Sequence, residues 1–426
     1  METLLHYVWK YKLYESGNLV TSKGKILEII DPGVSNSNAG PDFFNAKIKM
    51  DGEIWAGNVE IHTTASDWYK HRHYEDKAYN SVVLHVVEFL DVSDVFDRSG
   101  RSVPQWTMKV PEHIKMNYRF LLNSDLSVPC LCKIREIPEI YLSDWKNALL
   151  TERLERKTNA LLQLLNEYKG DWNEVFYITL ARNFGFGINN DAFERLAKSL
   201  PLKIVLKHHD SPAQIEALFL GQAGLLEDEN PENEYYTQLR KEYFFLRKKY
   251  QLKTLEPYIF KSLRIRPNNF PHIKILQLAG IISRKQGLFA QILEIAEDEK
   301  LHSLFVTELS EYWLTHYHFE KVSVKKNKYL GMPAKQILLI NTVVPLFFAY
   351  GKKKNSEQHT ERAIRLLESL KPENNYIITL FSHAGVNAAN AGDTQALIQL
   401  KREYCEKKKC IFCRIGHKLL RVQDTR

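Results

Sequence analysis

Apolar and polar residues follow two different patterns in this chain, and the pattern changes near residue 135. Before that point, short runs alternate between apolar and polar side chains, as half-buried β-strands do. After it, apolar residues recur at helical spacing in long segments separated by Gly, Pro and Asn. The sequence therefore predicts an α+β domain over residues 1–135 and a large all-α domain over residues 136–426.

The N-terminal pattern predicts elements in the order α, β, β, β, α, β, β. The clearest pair is a hairpin, because Asp51-Gly52 is a strong two-residue turn signal between two alternating runs. Ser66-Asp67 is typical of a helix start. The predicted elements are a helix over 4–14, a helix over 66–78, and strands over 26–30, 43–50, 53–62, 82–89 and 103–109.

The apolar spacing in the C-terminal two thirds of the chain predicts successive helices. No repeat of constant period is found, so a regular solenoid is not indicated. The predicted helices cover 143–168, 173–183, 190–199, 212–226, 232–250, 272–283, 287–314, 333–350, 357–370, 376–384 and 394–407.

The composition is that of an ordinary folded protein, with 44% hydrophobic and 26% charged residues, which excludes collagen-like and largely disordered classes. The longest apolar stretch, residues 337–350, contains Asn341 and Pro345 and is shorter than the roughly 18 residues that a membrane span requires. The N-terminus lacks the pattern of a secretion signal. We therefore expect a cytoplasmic protein with no membrane partner.

The net charge of +8 arises after residue 135. Residues 240–285 contain 12 basic and 2 acidic side chains, and residues 401–426 contain 9 basic and 3 acidic ones. Such patches could contact the phosphates of DNA or RNA, and Arg264 and Arg266 could bind a phosphate through two hydrogen bonds each. Solvated helix faces, with the two arginines at helix C-termini, explain the same residues equally well.

Carboxylates and imidazoles are concentrated between residues 40 and 88. The hairpin brings Asp42 to the same open end as Glu60 and His62. Two carboxylates that leave positions for water suit Mg²⁺ or Mn²⁺ in phosphoryl chemistry, and His62 could activate the attacking water. Simple alternation places Asp42 on the opposite face from the other two residues, so a bulge or a strong twist is needed.

This arrangement resembles the core of the PD-(D/E)XK nuclease superfamily. Pro41-Asp42, a spacer, and Glu60-x-His62 on successive strands carry the resemblance, which covers about the first 110 residues. It implies a nuclease-like mixed sheet, metal binding by Asp42 and Glu60, and hydrolysis of a nucleic acid. The superfamily has lysine where this chain has His62. The alternative is a degenerate nuclease fold that binds nucleic acid, or acts as a scaffold, without catalysis.

A second interpretation of this region is a site for zinc or another transition metal. His62, His73, Asp76 and His85 offer the ligand atoms that such ions prefer. His85 lies in the apolar run 82–87, where a histidine is more often a hydrogen-bonded core residue than a ligand. In a third interpretation these polar groups cap turns or face solvent.

Five cysteines occur in two groups, Cys130 with Cys132, and Cys405 with Cys410 and Cys413. In an intracellular protein such clustering favours a metal site over disulfides. The three C-terminal thiols, with Cys130, Cys132 or His417 as a fourth ligand, suit zinc or an iron–sulfur cluster. One upstream and three downstream cysteines also resemble the iron–sulfur site of some helicase-linked PD-(D/E)XK nucleases. Free thiols in a basic tail are the alternative.

The whole chain resembles an uncharacterised bacterial family known only as a domain of unknown function. The residues that carry this resemblance are 59–62, 182–187, 216–224, 264–271, 395–400 and 410–416. It implies a two-part architecture and a cytoplasmic bacterial setting, and it supplies no activity.

Overall fold

The computed structural model describes residues 1–15, 17–227, 232–284 and 287–423. The chain forms two compact units. Unit 1 contains residues 1–145, 383–386 and 400 onward, and unit 2 contains residues 146–382 and 387–399. The fold is α+β, with a mixed sheet near the N-terminus and a largely helical remainder, as the sequence predicted.

A mixed sheet forms the centre of unit 1. The strands are β1 (Leu19–Val20), β2 (Ile26–Asp31), β3 (Val34–Ser35), β4 (Phe43–Met50), β5 (Glu53–Thr64), β6 (Val82–Phe89), β7 (Val95–Phe96), β8 (Ser102–Val103) and β9 (Gln105–Thr107). The described residues give seven strands in the main sheet, in the order β1-β2-β4-β5-β6-β9, with β3 also paired to β4. Strands β2, β4 and β5 pair antiparallel, whereas β6 runs parallel to both β5 and β9. Strands β7 and β8 form a separate pair.

The predicted hairpin is present as β4 and β5. Met50 lies opposite Glu53 across the Asp51-Gly52 turn. Both turn residues have positive φ (49° and 92°), the conformation for which Asp-Gly is favoured in such turns. Local turn chemistry therefore determined this part of the sheet.

A β-bulge interrupts the same hairpin near its open end. The register between β4 and β5 shifts between Phe43 and Ala46, and Asn45 within this interval has a φ of 56°. Phe43 consequently lies opposite Val59. One extra residue in a strand moves the following side chains to the opposite face of the sheet. The bulge therefore allows Asp42 to lie on the same face as Glu60 and His62, which simple alternation did not.

The strand predicted over 103–109 is two short strands instead. Pro104 separates β8 from β9, and proline has no backbone N–H for a ladder hydrogen bond. The helix predicted over 66–78 is also shorter: α2 spans Asp67–Lys70, and Arg72 then takes a φ of 60°. Two 3₁₀ turns, His73–Glu75 and Lys77–Ser81, complete the connection to β6.

Helix α1 (Glu2–Lys10) packs against β5 through a fully buried apolar face that contains Leu4, Leu5 and Val8. Its Glu2 and His6 lie one turn apart on the same side of the helix. Helix α3 (Glu112–Asn123) was not predicted. Among its residues only Ile114 and Leu121 are buried, which is too narrow an apolar stripe to stand out in the sequence.

The chain end contacts α3. Asn117 Nδ2 donates to the carbonyl oxygens of Leu419 (3.1 Å) and Val422 (3.0 Å). Lys408 Nζ donates to the carbonyl oxygen of Leu122 at 2.6 Å. The last helix, Arg414–Leu420, also packs on α3. Residues 400–423 are therefore part of unit 1 although they are the last to be reached along the chain.

The rest of the described chain consists mainly of helices and 3₁₀ turns joined by loops, with a π-helical segment at Leu400–Cys405. The α-helices are Glu139–Glu167, Trp172–Phe184, Asn190–Ser199, Leu202–Leu206, Pro212–Gln222, Glu234–Tyr250, Pro271–Arg284, Leu288–Glu294, Glu311–Thr315, Met332–Leu338, Val344–Lys354, Glu357–Ser369, Tyr376–His383, Ala391–Gln399 and Arg414–Leu420. The 3₁₀ turns are Ile134–Glu136, Pro257–Ile259, Pro267–Asn269, Asp298–Phe305 and Cys410–Phe412.

The prediction of one helix over 287–314 is wrong. Two short helices, Leu288–Glu294 and Glu311–Thr315, flank the 3₁₀ segment Asp298–Phe305, and Ile295 leaves the helical region of φ and ψ. The apolar spacing that predicted a helix persists through all three pieces, so tertiary packing decided the outcome.

The segment Met332–Lys354 is a continuous helix with a π-helical stretch at Leu339–Val343 just before Pro345. A π-bulge accommodates a proline that lacks the N–H for the usual helical bond. Within the described residues this one helix has the length and apolar composition to cross a membrane. Since 61% of its most apolar window is buried in the protein, it resembles a core helix.

Candidate functional site

The candidate site lies at the open end of the β4–β5 hairpin. Asp42 immediately precedes β4, and Glu60 and His62 lie on β5. His71 and His73 follow α2 in the short connection to β6, and the left-handed conformation of Arg72 between them turns the chain. His85 on β6 completes the set, directly opposite Glu60 in the parallel pairing.

Asp42 and Glu60 are joined by two hydrogen bonds between carboxylates and backbone amides. The Asp42 N–H donates to Glu60 Oε2 at 3.1 Å, and the Ile61 N–H donates to Asp42 Oδ2 at 2.9 Å. The register shift at Asn45 allows this arrangement, because it places residue 42 beside residues 60 and 61. The structure therefore brings together the two carboxylates that the sequence singled out.

Helix α1 adds two groups that sequence reasoning missed. His6 Nε2 lies 3.3 Å from Asp42 Oδ2 and 4.0 Å from Glu2 Oε1. Glu2, His6 and Asp42 each offer one ligand atom, and these atoms lie within 4.8 Å of one another. The spacing of Glu2 and His6 by four residues on an amphipathic helix was the available signal, but it does not reveal which strand the helix covers.

Three imidazoles gather on the other side of Glu60. His62 Nε2 lies 3.1 Å from His71 Nδ1, 3.3 Å from His73 Nε2 and 3.4 Å from Glu60 Oε1. His73 Nε2 lies 3.1 Å from Glu60 Oε1. Glu60, His62 and His73 are buried and His71 is exposed. We call Glu60, His62, His71 and His73 the imidazole cluster.

Burial dominates the protonation of this site. It raises the pKa of Glu60 to about 9, with a further contribution from the negative charge of Asp42. It lowers the pKa of His62 to about 2, and the three neighbouring imidazoles add to that effect. It also lowers the pKa of His85 to about 4. His62 and His85 are therefore neutral at physiological pH, which is the state in which imidazole binds metals.

Asp76, one of the predicted ligands, does not reach the imidazole cluster. Its side chain is exposed and accepts a hydrogen bond from the Ala78 N–H at 2.8 Å, which caps the following 3₁₀ turn. His85 is fully buried and is hydrogen-bonded to His62 and Gln105. Of the predicted ligands, His62 and His73 lie in the imidazole cluster. Glu60 and His71 lie beside them, where the sequence had predicted Asp76 and His85.

The four cysteines singled out by the sequence all lie in unit 1 and are all buried: Cys130, Cys405, Cys410 and Cys413. Burial raises the pKa of Cys410 to about 11, and the charge of Cys413 adds to the effect. Burial likewise raises the pKa of Cys130 and of Cys405, with contributions from the other thiols of the set. These thiols are therefore close enough to interact electrostatically.

The other two candidates for a fourth ligand are placed differently. Cys132 is exposed. The ring of His417 packs against Tyr11 and Tyr7, with ring centroids 4.4 and 5.2 Å away. Among the described residues, close groups of three potential ligand atoms are formed by His62, His71 and His73 and by Glu2, His6 and Asp42, and the cysteines form no group as close as these.

Arg264 and Arg266 lie on an exposed segment of unit 2, just before the 3₁₀ turn Pro267–Asn269. Arg264 has a φ of 60°, so a turn and not a helix end presents it. The expectation that these two side chains bind phosphate remains a prediction.

The fold and the site together define an α+β protein with a buried cluster of imidazoles and carboxylates at the end of a hairpin. The family described as Protein of unknown function (DUF2851) matches residues 2–376. The chain therefore belongs to this family. No curated protein and no solved structure matches it.

Proposed function

We propose that this protein is a metal-dependent phosphodiesterase that cleaves nucleic acid on a nuclease-like core. Helix α1, the antiparallel strands β2, β4 and β5, helix α2 and the parallel strand β6 follow one another in unit 1, and a mixed sheet is what the PD-(D/E)XK resemblance implies. The mixed sheet supports the proposal, and the site carries it further.

The observation that carries the proposal is the pairing of Asp42 with Glu60. Each carboxylate accepts a hydrogen bond from a backbone amide beside the other, and the negative charge of Asp42 raises the pKa of buried Glu60 further. Two carboxylates in such proximity are unfavourable unless a cation or a proton lies between them. The raised pKa of Glu60 corresponds to a proton on this pair in the metal-free protein, and we propose that a divalent cation takes the place of that proton.

The surrounding groups also fit a divalent cation. His6 Nε2 is buried, makes no well-directed hydrogen bond among the described residues and lies 3.3 Å from Asp42 Oδ2, so a neutral His6 could add a nitrogen ligand beside this carboxylate. Oxygen ligands from Asp42, Glu60 and Glu2 suit Mg²⁺ or Mn²⁺, and the imidazole nitrogen favours Mn²⁺. When bound, such an ion would lower the pKa of a coordinated water and stabilise charge on the phosphate.

The residues of the chain then have separate roles. Asp42 and Glu60 hold the cation, and His6 completes its ligands from α1. His62 does not fit the role of a general base, because an imidazole with a pKa of about 2 accepts a proton too weakly at neutral pH. We therefore assign His62 to metal binding.

Phosphate contacts would come from exposed basic side chains. Lys261, Arg264 and Arg266 are exposed within the basic stretch 240–285 of unit 2. Neutralisation of several phosphates makes affinity fall steeply with salt concentration. DNA or RNA is accordingly the partner that we propose.

The test is a cleavage assay with Mg²⁺ or Mn²⁺ on labelled single-stranded and double-stranded DNA and RNA. We expect cleavage by the wild type and its loss by roughly 10²-fold or more in Asp42→Asn, with unchanged binding of the same substrate. Glu28→Gln is the matched control, since Glu28 is an exposed carboxylate of the same sheet. Binding that depends on salt but not on divalent metal, without cleavage, would support a non-catalytic binding protein instead.

We also propose that Cys130, Cys405, Cys410 and Cys413 bind zinc or an iron–sulfur cluster. All four thiols are buried, and neighbouring cysteines contribute, after burial, to the raised pKa of Cys130, Cys405 and Cys410; a cation would favour the thiolate form that burial disfavours. Such a reduced set of thiols also accords with the cytoplasmic location that we propose.

Elemental analysis of anaerobically purified protein tests this second site. We expect iron with sulfide, or zinc, at one site per chain, and its loss in Cys410→Ser. The exposed Cys132 provides the control, since Cys132→Ser should retain the metal. Protein with no metal in either form would refute the proposal.

A further inference from the structure

We infer that the imidazole cluster, Glu60, His62, His71 and His73, is a binding site for a transition-metal ion such as Zn²⁺. The site shares Glu60 with the proposed phosphodiesterase centre but lies on the opposite carboxylate oxygen, Oε1, whereas Oε2 accepts from the Asp42 N–H. The inference concerns binding alone, so it stands whether or not the protein cleaves nucleic acid.

The argument begins at Gln105, whose orientation is fixed by the backbone. Its side-chain Nε2 donates to the carbonyl oxygens of Val92 (3.2 Å) and Ser93 (3.0 Å). Only the amide nitrogen can donate to a carbonyl, so the oxygen of Gln105 must be the atom that faces His85. Gln105 Oε1 lies 3.3 Å from His85 Nδ1 and can only accept.

The orientation of Gln105 determines the tautomers of two histidines. His85 Nδ1 must carry a proton in order to donate to Gln105, so neutral His85 has its lone pair on Nε2. His85 Nε2 lies 2.9 Å from His62 Nδ1, which must therefore carry a proton and donate it. Neutral His62 consequently has its lone pair on Nε2, the atom that faces the rest of the cluster.

Metal-binding histidines commonly show this arrangement. One ring nitrogen coordinates the ion, and the other donates to a neighbouring acceptor that fixes the ring and its tautomer. Here the acceptor of His62 is His85, which is in turn fixed by Gln105. His85 and Gln105 are therefore positioning residues for the lone pair of His62.

Four of the distances between these ligand atoms are close to the edges of a tetrahedral zinc site. The distances from His62 Nε2 to His71 Nδ1, His73 Nε2 and Glu60 Oε1 are 3.1, 3.3 and 3.4 Å, and His73 Nε2 lies 3.1 Å from Glu60 Oε1. Zinc bonds of about 2.0–2.1 Å give tetrahedral edges of about 3.3–3.4 Å. The three histidine nitrogens also lie within 4.8 Å of one another.

Hydrogen bonds alone account for this cluster less well. A proton on His71 Nδ1 and one on His73 Nε2 would satisfy two of the contacts. A protonated Glu60 could donate to the lone pair of His62, but at 3.4 Å this contact is long for an O–H···N hydrogen bond in a buried site. A cation bound by the three imidazole nitrogens, with Glu60 beside it, would take the place of these protons.

The donor set also indicates the kind of ion. Three imidazole nitrogens and one carboxylate oxygen favour Zn²⁺, Co²⁺ or Fe²⁺ over Mg²⁺, which prefers oxygen ligands. His71 is exposed while the other three ligands are buried, so an ion can enter past His71. The exposed position also means that His71 can be replaced without disturbing the core.

The experiment is a titration of metal-free protein with Zn²⁺ by calorimetry and with Co²⁺ by visible absorption. We expect one tight site per chain, a tetrahedral Co²⁺ spectrum, and an affinity at least 100-fold lower in the His71→Ala/His73→Ala double variant. His209→Ala, at an exposed histidine of unit 2, should bind as the wild type does. Wild-type protein without tight binding, or equal affinity in the double variant, would overturn the inference.

Two further variants separate this inference from its alternatives. Gln105→Leu should lower Zn²⁺ affinity by roughly 10- to 100-fold through the tautomer of His62. Nitrogen NMR of the imidazole rings should show the proton of His62 on Nδ1 in the wild type, and a proton on Nε2 would contradict the argument. Asp42→Asn should keep its Zn²⁺ affinity while it loses cleavage, so failure of the phosphodiesterase proposal leaves this test intact.

Discussion

The two units bury polar side chains in different ways. In unit 1, buried imidazoles, carboxylates and thiols gather in clusters whose members change one another's pKa. In unit 2, buried polar groups occur in small hydrogen-bonded sets. Lys274 Nζ donates to Gln277 Oε1 at 3.1 Å, and Glu216 accepts from Tyr235 and Ser310. Buried clusters of groups with perturbed pKa are typical of functional sites, whereas small hydrogen-bonded sets hold helices together, so we expect chemistry in unit 1 and structural support from the buried polar groups of unit 2.

Removal of one thiol of unit 1 should have the largest effect and tests whether its clusters differ in role from the buried polar groups of unit 2. We expect Cys410→Ser to lose the bound metal and to expose residues 400–423 to hydrogen exchange, because structural metal sites contribute on the order of 10 kcal/mol of binding free energy. The strands β4 and β5 should keep their protection. Hydrogen exchange followed by mass spectrometry measures both regions, and equal protection in Cys410→Ser and the wild type would refute a structural role.

A pH series on Lys274 tests the supporting role of unit 2. Burial lowers the pKa of Lys274 to about 8, whereas an unfolded chain releases this proton at about pH 10.4. Between these values the unfolded state binds more protons, so stability rises with pH, and the penalty is fully present below pH 8. We expect Lys274→Met to remove a rise of roughly 2–3 kcal/mol in the free energy of unfolding.

Denaturant unfolding of Lys274→Met and the wild type at several values between pH 7 and about pH 10 provides the measurement. Tyrosines that titrate in the same interval affect both proteins, so the difference between the two curves isolates the lysine. Parallel curves would show that Lys274 keeps an ordinary pKa.

Gly416 packs closely against the backbone of Cys410, so a substitution there tests whether the cysteines depend on backbone position. A Cβ atom on Gly416 would lie 2.0 Å from the carbonyl oxygen of Cys410, so the backbone would have to move. We expect Gly416→Ala to lower stability by about 2 kcal/mol and to weaken metal retention although every thiol remains. Gly331→Ala, where the nearest atom would be 3.8 Å away, should leave thermal unfolding unchanged.

The bulge at Asn45 gives the smallest expected effect. Asn45 has a φ of 56°, which glycine and asparagine tolerate and a β-branched residue does not. We expect Asn45→Val to cost about 1–2 kcal/mol and to weaken Zn²⁺ binding through the displaced Asp42–Glu60 pair. Asn45→Gly should retain both properties. Equal unfolding midpoints for Asn45→Val and Asn45→Gly would show that the bulge at Asn45 does not position the Asp42–Glu60 pair.

The sequence predicted those parts of the site that are close together along the chain and missed those that only tertiary packing brings together. Asp51-Gly52 fixed the hairpin locally, and the parity conflict between Asp42 and Glu60 was enough to indicate a bulge or a strong twist between them. Glu2 and His6 were missed because only tertiary packing places α1 over β5.

The cysteines were also hard to assign from the sequence, because Cys130 and Cys132 lie far along the chain from Cys405, Cys410 and Cys413. The sequence left Cys130, Cys132 and His417 as equal partners for the C-terminal cysteines. The choice depends on how residues 400–423 return to α3, and the chain between them contains no local signal for that return. The failed helix over 287–314 has a related cause, since periodicity reports an apolar face but not where packing interrupts it.

The return of the last residues to unit 1 has a consequence for protein synthesis. The ribosome produces the sheet first and then unit 2, and it releases residues 400–423 after both. The residues that cover α3 are therefore made only after unit 2. Until they are made, Asn117 lacks the carbonyl oxygens of Leu419 and Val422 as hydrogen-bond partners, so unit 1 reaches its final hydrogen bonding only after unit 2 has been synthesised.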